Sequence, residues 1–174
     1  MGWVRDFFEV DVSKIRVDEI EPNWKRTPHG YTREQIAQWI AELREIQRLC
    51  REKGYTAEDF QRMRNSLDPK ERALGETYHQ FYDHDVNHDF IKLEWVGDHY
   101  EVTNGRHRVW MAKQMGLRHM PAMVSAPDEA TLQRLRAEGE RIAAGEYPKR
   151  GSTPIWERTS QQQRQRPERE RWER

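Results

Sequence analysis

One cysteine, Cys50, stands in 174 residues, so no internal disulfide can form and no cysteine-rich zinc site can be built. No apolar run approaches the roughly 18 residues that a membrane span needs. The start, MGWVRDFFEVD, lacks a basic stretch followed by an apolar one, so no secretory signal is expected and the cytoplasm is the expected compartment. An excess of one charge is missing too. Thirty Lys and Arg face thirty Asp and Glu, which argues against holding nucleic acid by bulk attraction and leaves only a local basic patch for that purpose. Large apolar residues are scarce: Leu, Ile, Val and Phe supply 30 of the 174 residues. That is under the roughly 20% at which disorder is suspected, but only when the net charge is also large. Here it is zero, so a fold is not excluded.

The apolar residues are also unevenly placed. Residues 1–125 hold 26 of those 30 and five of the seven Trp, so the core is expected there and not in the last fifty residues. One domain over 1–148 is expected, followed by a disordered Arg/Gln-rich tail over 149–174. Within it, 151–174 carries six Arg against four Glu, a net of +2 that leaves −2 on 1–150. Such a segment cannot offset its ordering entropy by burial. Its functional reading is a weak basic contact with nucleic acid or a partner.

Along the chain, extended segments are expected at Phe7 to Val12 and Ile15 to Ile20. A loop with two prolines and a glycine follows at 22–30. Thr32 with Gln35 three residues on forms a capping box, and Ile36, Trp39, Ile40, Leu43 and Ile46 recur at helical spacing. A helix over 33–52 ended by Gly54 is the result. Thr56 with Asp59 opens a second helix, and Asp68-Pro69 a third that runs to about Tyr82. Residues 90–96 alternate like a strand, Gly97-Asp98 turns, and His99 to Thr103 returns. A helix from Arg106 to Met115, a strand over 120–124 and a last helix over 127–144 with few large apolar residues complete the pattern. The class is α+β.

The chemistry concentrates at Asn104-Gly105-Arg106-His107-Arg108, where a strand becomes a helix. A helix start offers backbone N–H groups without partners and the positive end of the macrodipole. Gly105 admits a ligand close to the backbone, and Arg106, His107 and Arg108 add donors suited to phosphate oxygens. Solvated arginines at a common strand–glycine–helix turn are the plain alternative. His84 and His88, four apart and flanked by His79, Asp83, Asp85 and Asp89, form a candidate metal pair, against the plain reading of a polar helix end. Trp39, Trp95 and Trp110 read as core, Trp24 as packing or as a wall beside a base, and Cys50 as an inert thiol.

The stretch from 100 to 124 resembles the ParB/sulfiredoxin-like superfamily. That family's shared segment runs strand, G-x-[HR]-R, helix, G, then an apolar strand containing "iP". Here these are Asn104 to Arg108, Ala112-Lys113, Gly116-Leu117 and Met120 to Val124. Upstream, Ile20-Glu21-Pro22-Asn23-Trp24-Lys25-Arg26 is similar to the family's "I-x-x-N-p-x-R" before a helix. The resemblance covers about 15–50 and 90–125 and leaves 55–88 as a helical insertion, a lid or a partner contact. It implies a small mixed sheet with packed helices that binds a nucleotide, ATP or CTP with Mg2+. The phosphates would lie on Asn104, Gly105, Arg106, His107 and Arg108, with Arg26 as a second clamp. Hydrolysis or transfer of a phosphoryl group would draw on Glu42, Glu34 or His107 for acid–base work.

Departures narrow this. Arg106 stands where sulfiredoxins carry a reactive cysteine, and Asn104 stands where kinase-like members carry an acid. About fifty residues follow the segment, with no helix-turn-helix signal of the kind that partition proteins carry there. The rival functions are a ParB-like nuclease or DNA-binding accessory protein, with DNA contacting the Arg-rich turn and tail, and a protein-interaction or effector module.

Overall fold

The computed structural model describes residues 2–18 and 20–146, so the expectation for 149–174 lies outside the described residues. Five strands form one mixed sheet: β1 (Val4–Asp11), β2 (Ile15–Arg16), β3 (Lys92–Trp95), β4 (Tyr100–Asn104) and β5 (His119–Ala126). Five helices accompany it: α1 (Arg33–Lys53), α2 (Ala57–Met63), α3 (Pro69–Tyr82), α4 (Arg106–Gln114) and α5 (Glu129–Ala143). The class is α+β, as expected. Strand order is β1-β5-β3-β4-β2. β5 lies antiparallel to β1, from Val4 opposite Ala126 to Asp11 opposite His119, and parallel to β3. β4 is antiparallel to β3 and parallel to β2.

Most helix ends follow the local code. Thr32 and Gln35 close a reciprocal capping box at α1, and Gly54 ends the helix at φ +70°. Thr56 and Asp59 do the same for α2, and Asp68 caps α3 with Pro69 in its first turn. Gly97, at φ +115°, turns β3 into β4.

Two expectations fail at the sheet. The second extended segment shrinks from 15–20 to Ile15–Arg16, because only those residues find β4 to pair with. The last helix was expected to add little to the core, yet Leu132, Leu135 and Ile142 of α5 are buried. Three apolar residues suffice because the helix backbone itself sits on β1: a Cβ on Gly139 would overlap the carbonyl oxygen of Glu9. Ion pairs of Arg136 with Asp6 and of Lys14 with Glu138 flank this contact.

The main core joins Phe8, Val10, Leu93, Met120 and Val124 of the sheet to Ile36, Ile40 and Leu43 of α1 and Val109 of α4. A smaller cluster, Ile46, Leu49 and Phe60, seats α2 and α3 on α1. There Phe60, Tyr78 and Tyr82 stack in a ladder with centroids 4.5 Å apart at each step. Among the described residues no helix is long and apolar enough to cross a membrane.

Candidate functional site: a cavity at the start of helix α4

A cavity of about 210 Å³, open to solvent, lies where β4 runs into α4. Its floor is Asn104 to Arg108, one wall is the 27–31 turn, and Tyr31 and Trp39 form an aromatic side. The turn is held by its own backbone: Thr27 N–H donates to Tyr31 O at 2.8 Å and Gly30 N–H to Thr27 O at 2.9 Å. Tyr31 and Trp39 meet edge to face with centroids 4.8 Å apart.

Gly105 serves as the N-cap of α4 at φ +96°, with no side chain capping the helix. The first-turn N–H groups of α4 therefore lack intrahelical acceptors, and the residues that carry them line the cavity. Its glycine is required by the protein more than by a ligand. The left-handed φ disfavours other residues, and a Cβ there would overlap Ile91 Cδ1 and press on the Arg108 guanidinium.

The three basic residues of the turn part company. Arg106 is exposed at the cavity rim. His107 is partly buried, with its ring 4.8 Å from that of Trp24, edge to face. Burial, and then the neighbouring Arg106 charge, hold its imidazole below the usual range. Arg108 turns inward and is buried. Its Nη1 donates to Asp89 O at 2.8 Å and its Nη2 to Asp89 Oδ1 at 3.1 Å. Burial lowers its pKa, and the Asp89 charge opposes that shift. Asn104 also faces inward: Nδ2 donates to Phe90 O at 2.6 Å and to Asp89 Oδ1 at 3.1 Å. Arg108 and Asn104, expected as phosphate ligands, line the cavity and also hold the segment that leads into β3.

The remaining candidates lie off the cavity. Arg26 donates from Nη1 to Gly30 O at 2.8 Å, which braces the 27–31 turn, and its backbone bridges Thr32. Glu42 accepts from Thr77 Oγ1 at 2.5 Å and from Gln38 Nε2 at 2.9 Å, tying α1 to α3. Glu34 is exposed in the first turn of α1. His84 stacks on Phe7 with centroids 4.2 Å apart, His79 Nδ1 sits 2.8 Å from Asp83 Oδ2, and His88 is exposed. Among the described residues no three His, Cys, Asp or Glu come together as a metal-binding group. Cys50, expected to be a buried or half-buried thiol, is exposed near the end of α1, yet desolvation at its sulfur, with the Glu9 charge as a further cause, pushes its thiol up to about 11.

Three positions at the cavity and its walls carry no such signal in the sequence pattern. Asp89 is the one Asp or Glu among the described residues on the cavity lining, and in the sequence it stands only as a neighbour of the histidines. Trp39, expected in the core, packs half-buried against it and also lines the cavity. Arg33 carries no such signal either. It donates to Pro22 O and Trp24 O at 3.0 and 3.2 Å and lies over the Trp24 and Trp110 rings, fastening the 22–26 loop to α1 and α4. Nothing local marks these residues, since each partner lies far off in sequence or across a loop.

No protein-family model matches the chain, and no curated protein sequence matches it. Among solved structures it is similar to the C-terminally truncated chromosome-partitioning protein ParB from Caulobacter crescentus complexed with CTP-gamma-S. Identity is 14%, coverage is 94% of this chain and 63% of that one, and the TM-score is 0.31. The chain therefore spans less than two thirds of that structure's length. At that TM-score the likeness carries no argument about function.

Proposed function

We propose that the cavity at the start of α4 binds the phosphates of a nucleoside di- or triphosphate. The observation that carries this is the convergence of three features on one opening: the free N–H groups of the first turn, the exposed Arg106, and the Tyr31–Trp39 pair. Positive potential and N–H donors suit phosphate oxygens. An aromatic surface suits a base or ribose, and stacking tolerates any base. The volume of about 210 Å³ is below the roughly 300–1,000 Å³ of pockets that enclose drug-sized ligands. That fits a site which encloses phosphates and leaves the rest of the nucleotide at its open mouth.

Roles then follow from position. Arg106 pairs with a phosphate. His107, neutral at pH 7 because its pKa is held low, donates one N–H and is the base where a phosphoryl group is hydrolysed or transferred. Arg26, Arg33, Asn104 and Arg108 are positioning residues that hold the walls. Mg2+ is the expected companion of the phosphates, and Asp89, a half-exposed carboxylate on the lining, fits it as a hard oxygen ligand. The metal would neutralise phosphate charge.

Calorimetric titration with ATP, CTP, ADP and GTP tests the proposal. Saturable binding by the wild type that weakens at least tenfold in Arg106→Ala is expected. No binding of any nucleotide, or unchanged binding by that variant, overturns it.

A further inference from the structure

The two faces of the sheet are covered unequally. α5 lies on the face that carries Trp95, where the Arg134 guanidinium stands 5.8 Å from the Trp95 ring centroid. On the opposite face the cover ends at Phe7, whose ring meets those of His84 and Phe90. Beyond Phe7 a groove of about 460 Å³ crosses the strands over Met123 and Ser125 of β5. No helix residue belongs to its lining.

The charges of this groove are arranged about β5. Arg5 of β1 and Glu94 of β3 are both register partners of Ser125, one on each side. They stand at one level, two strand spacings or about 10 Å apart. Neither forms an ion pair with another described residue. Glu94 is also directly opposite Glu101 of β4, and like charges so placed destabilise a sheet. Lys92, the other cation of the groove, is turned over the Phe90 ring, 5.1 Å from its centroid. Trp3, two residues before Arg5, is 52% exposed, and Val96, two residues after Glu94, is 39% exposed. Period-2 alternation puts both on the face of Arg5 and Glu94, one step nearer the end of the sheet.

This pattern is complementary to itself. A second copy, turned about a two-fold axis parallel to β5 and laid face to face on the first, brings its β1 over β3 and its β3 over β1. Arg5 of each copy then meets Glu94 of the other, and Trp3 of each meets Val96 of the other. Such reciprocity is what an isologous interface requires. Sheets packed face to face lie about 10 Å apart, a gap that an arginine and a glutamate bridge together. The incoming guanidinium also offsets the repulsion between Glu94 and Glu101. We propose that this open face joins two copies of the chain in a homodimer held by reciprocal Arg5–Glu94 ion pairs and Trp3–Val96 contacts. The dimer does not depend on the nucleotide site.

The test is sedimentation equilibrium on the full chain, in a concentration series that reaches the millimolar range. Wild type, Arg5→Glu, Glu94→Arg and an equimolar mixture of the two variants are compared. Wild type is expected to form dimers and nothing larger. By symmetry each single reversal sets like charges against each other twice, and is expected to weaken dimerisation at least tenfold. The mixture places opposite charges at both contacts again, so heterodimers of wild-type affinity are expected. Tm of each isolated variant should match that of the wild-type monomer, since neither side chain has an ionic partner within its own chain. Wild type that stays monomeric at millimolar concentration overturns the proposal. A dimer that neither reversal weakens also overturns it, because another surface then makes the contact. So does a weakening that mixing fails to restore, since the two residues then do not face each other.

Discussion

Arg108 donates to Asp89 twice, to the carbonyl oxygen at 2.8 Å and to the carboxylate at 3.1 Å. The guanidinium of the G-x-H-R turn therefore gives two of its five N–H donors to the protein, holding the entry to β3 against the start of α4, while Arg108 also lines the cavity. Removing one partner of a buried, hydrogen-bonded group costs about 1–3 kcal/mol. Arg108→Ala is expected to lose about that much stability in chemical denaturation, with weaker nucleotide binding as a consequence. Arg106→Ala, at an exposed position, is expected to keep the wild-type Tm and lose binding alone. Equal stability losses in the two variants would refute this division of labour.

Gly139 lies on the carbonyl of Glu9 so closely that a Cβ would overlap it. Backbone cannot yield as a long side chain can. Overpacking of this kind costs about 1–3 kcal/mol and sometimes more. Gly139→Ala is expected at the upper end, measured by urea denaturation. A variant within about 0.5 kcal/mol of wild type would show that α5 can lift off β1 freely.

His107 has a pKa held below the 6.5 of a free imidazole, by burial first and Arg106 second. The unfolded chain therefore binds this proton more readily than the folded one between the two values. Stability rises with pH across that window and falls as the pH drops below 6.5. His107→Gln should flatten this part of the curve, read as Tm from pH 5 to 7.5. A bound phosphate favours the imidazolium, so nucleotide affinity is expected to rise on acidification in wild type and not in His107→Gln.

Trp39 forms the aromatic side of the cavity with Tyr31. Stacking on an aromatic side chain is worth about 1–3 kcal/mol per base by alanine substitution. Trp39→Ala is expected to weaken nucleotide binding roughly tenfold or more, while its effect on inorganic triphosphate stays small. A fall of the same size for both ligands would show that Trp39 only supports the wall.

Much of the fold was legible because it is coded locally. The capping boxes at Thr32 and Thr56, Pro69 after Asp68, and the turn at Gly97 each act over a few residues, and the helices and the hairpin appear where those signals put them. The second strand was overdrawn because β propensity says nothing about whether a partner is present, and only Ile15 and Arg16 have one in β4. The role of α5 was underrated because the contact that seats it is made by a glycine, which adds nothing to an apolar count.

For the site, the amino-acid order by itself determined that a glycine-started helix with exposed donors follows β4, since strand, left-handed cap and helix are consecutive. The tertiary structure decided which side chains serve it. Arg108 and Asn104 look outward in a linear motif, yet Asp89, fifteen residues before Asn104, draws both inward. Glu42 looks available, yet Thr77 of α3 holds it away. Tyr31 from the 27–31 turn and Trp39 from α1 meet at the cavity only once the chain has folded. The thirty-against-thirty charge balance could not show this. Coulomb and hydrogen-bond energies depend on distances of a few ångströms, and those distances exist only once the chain has closed on itself.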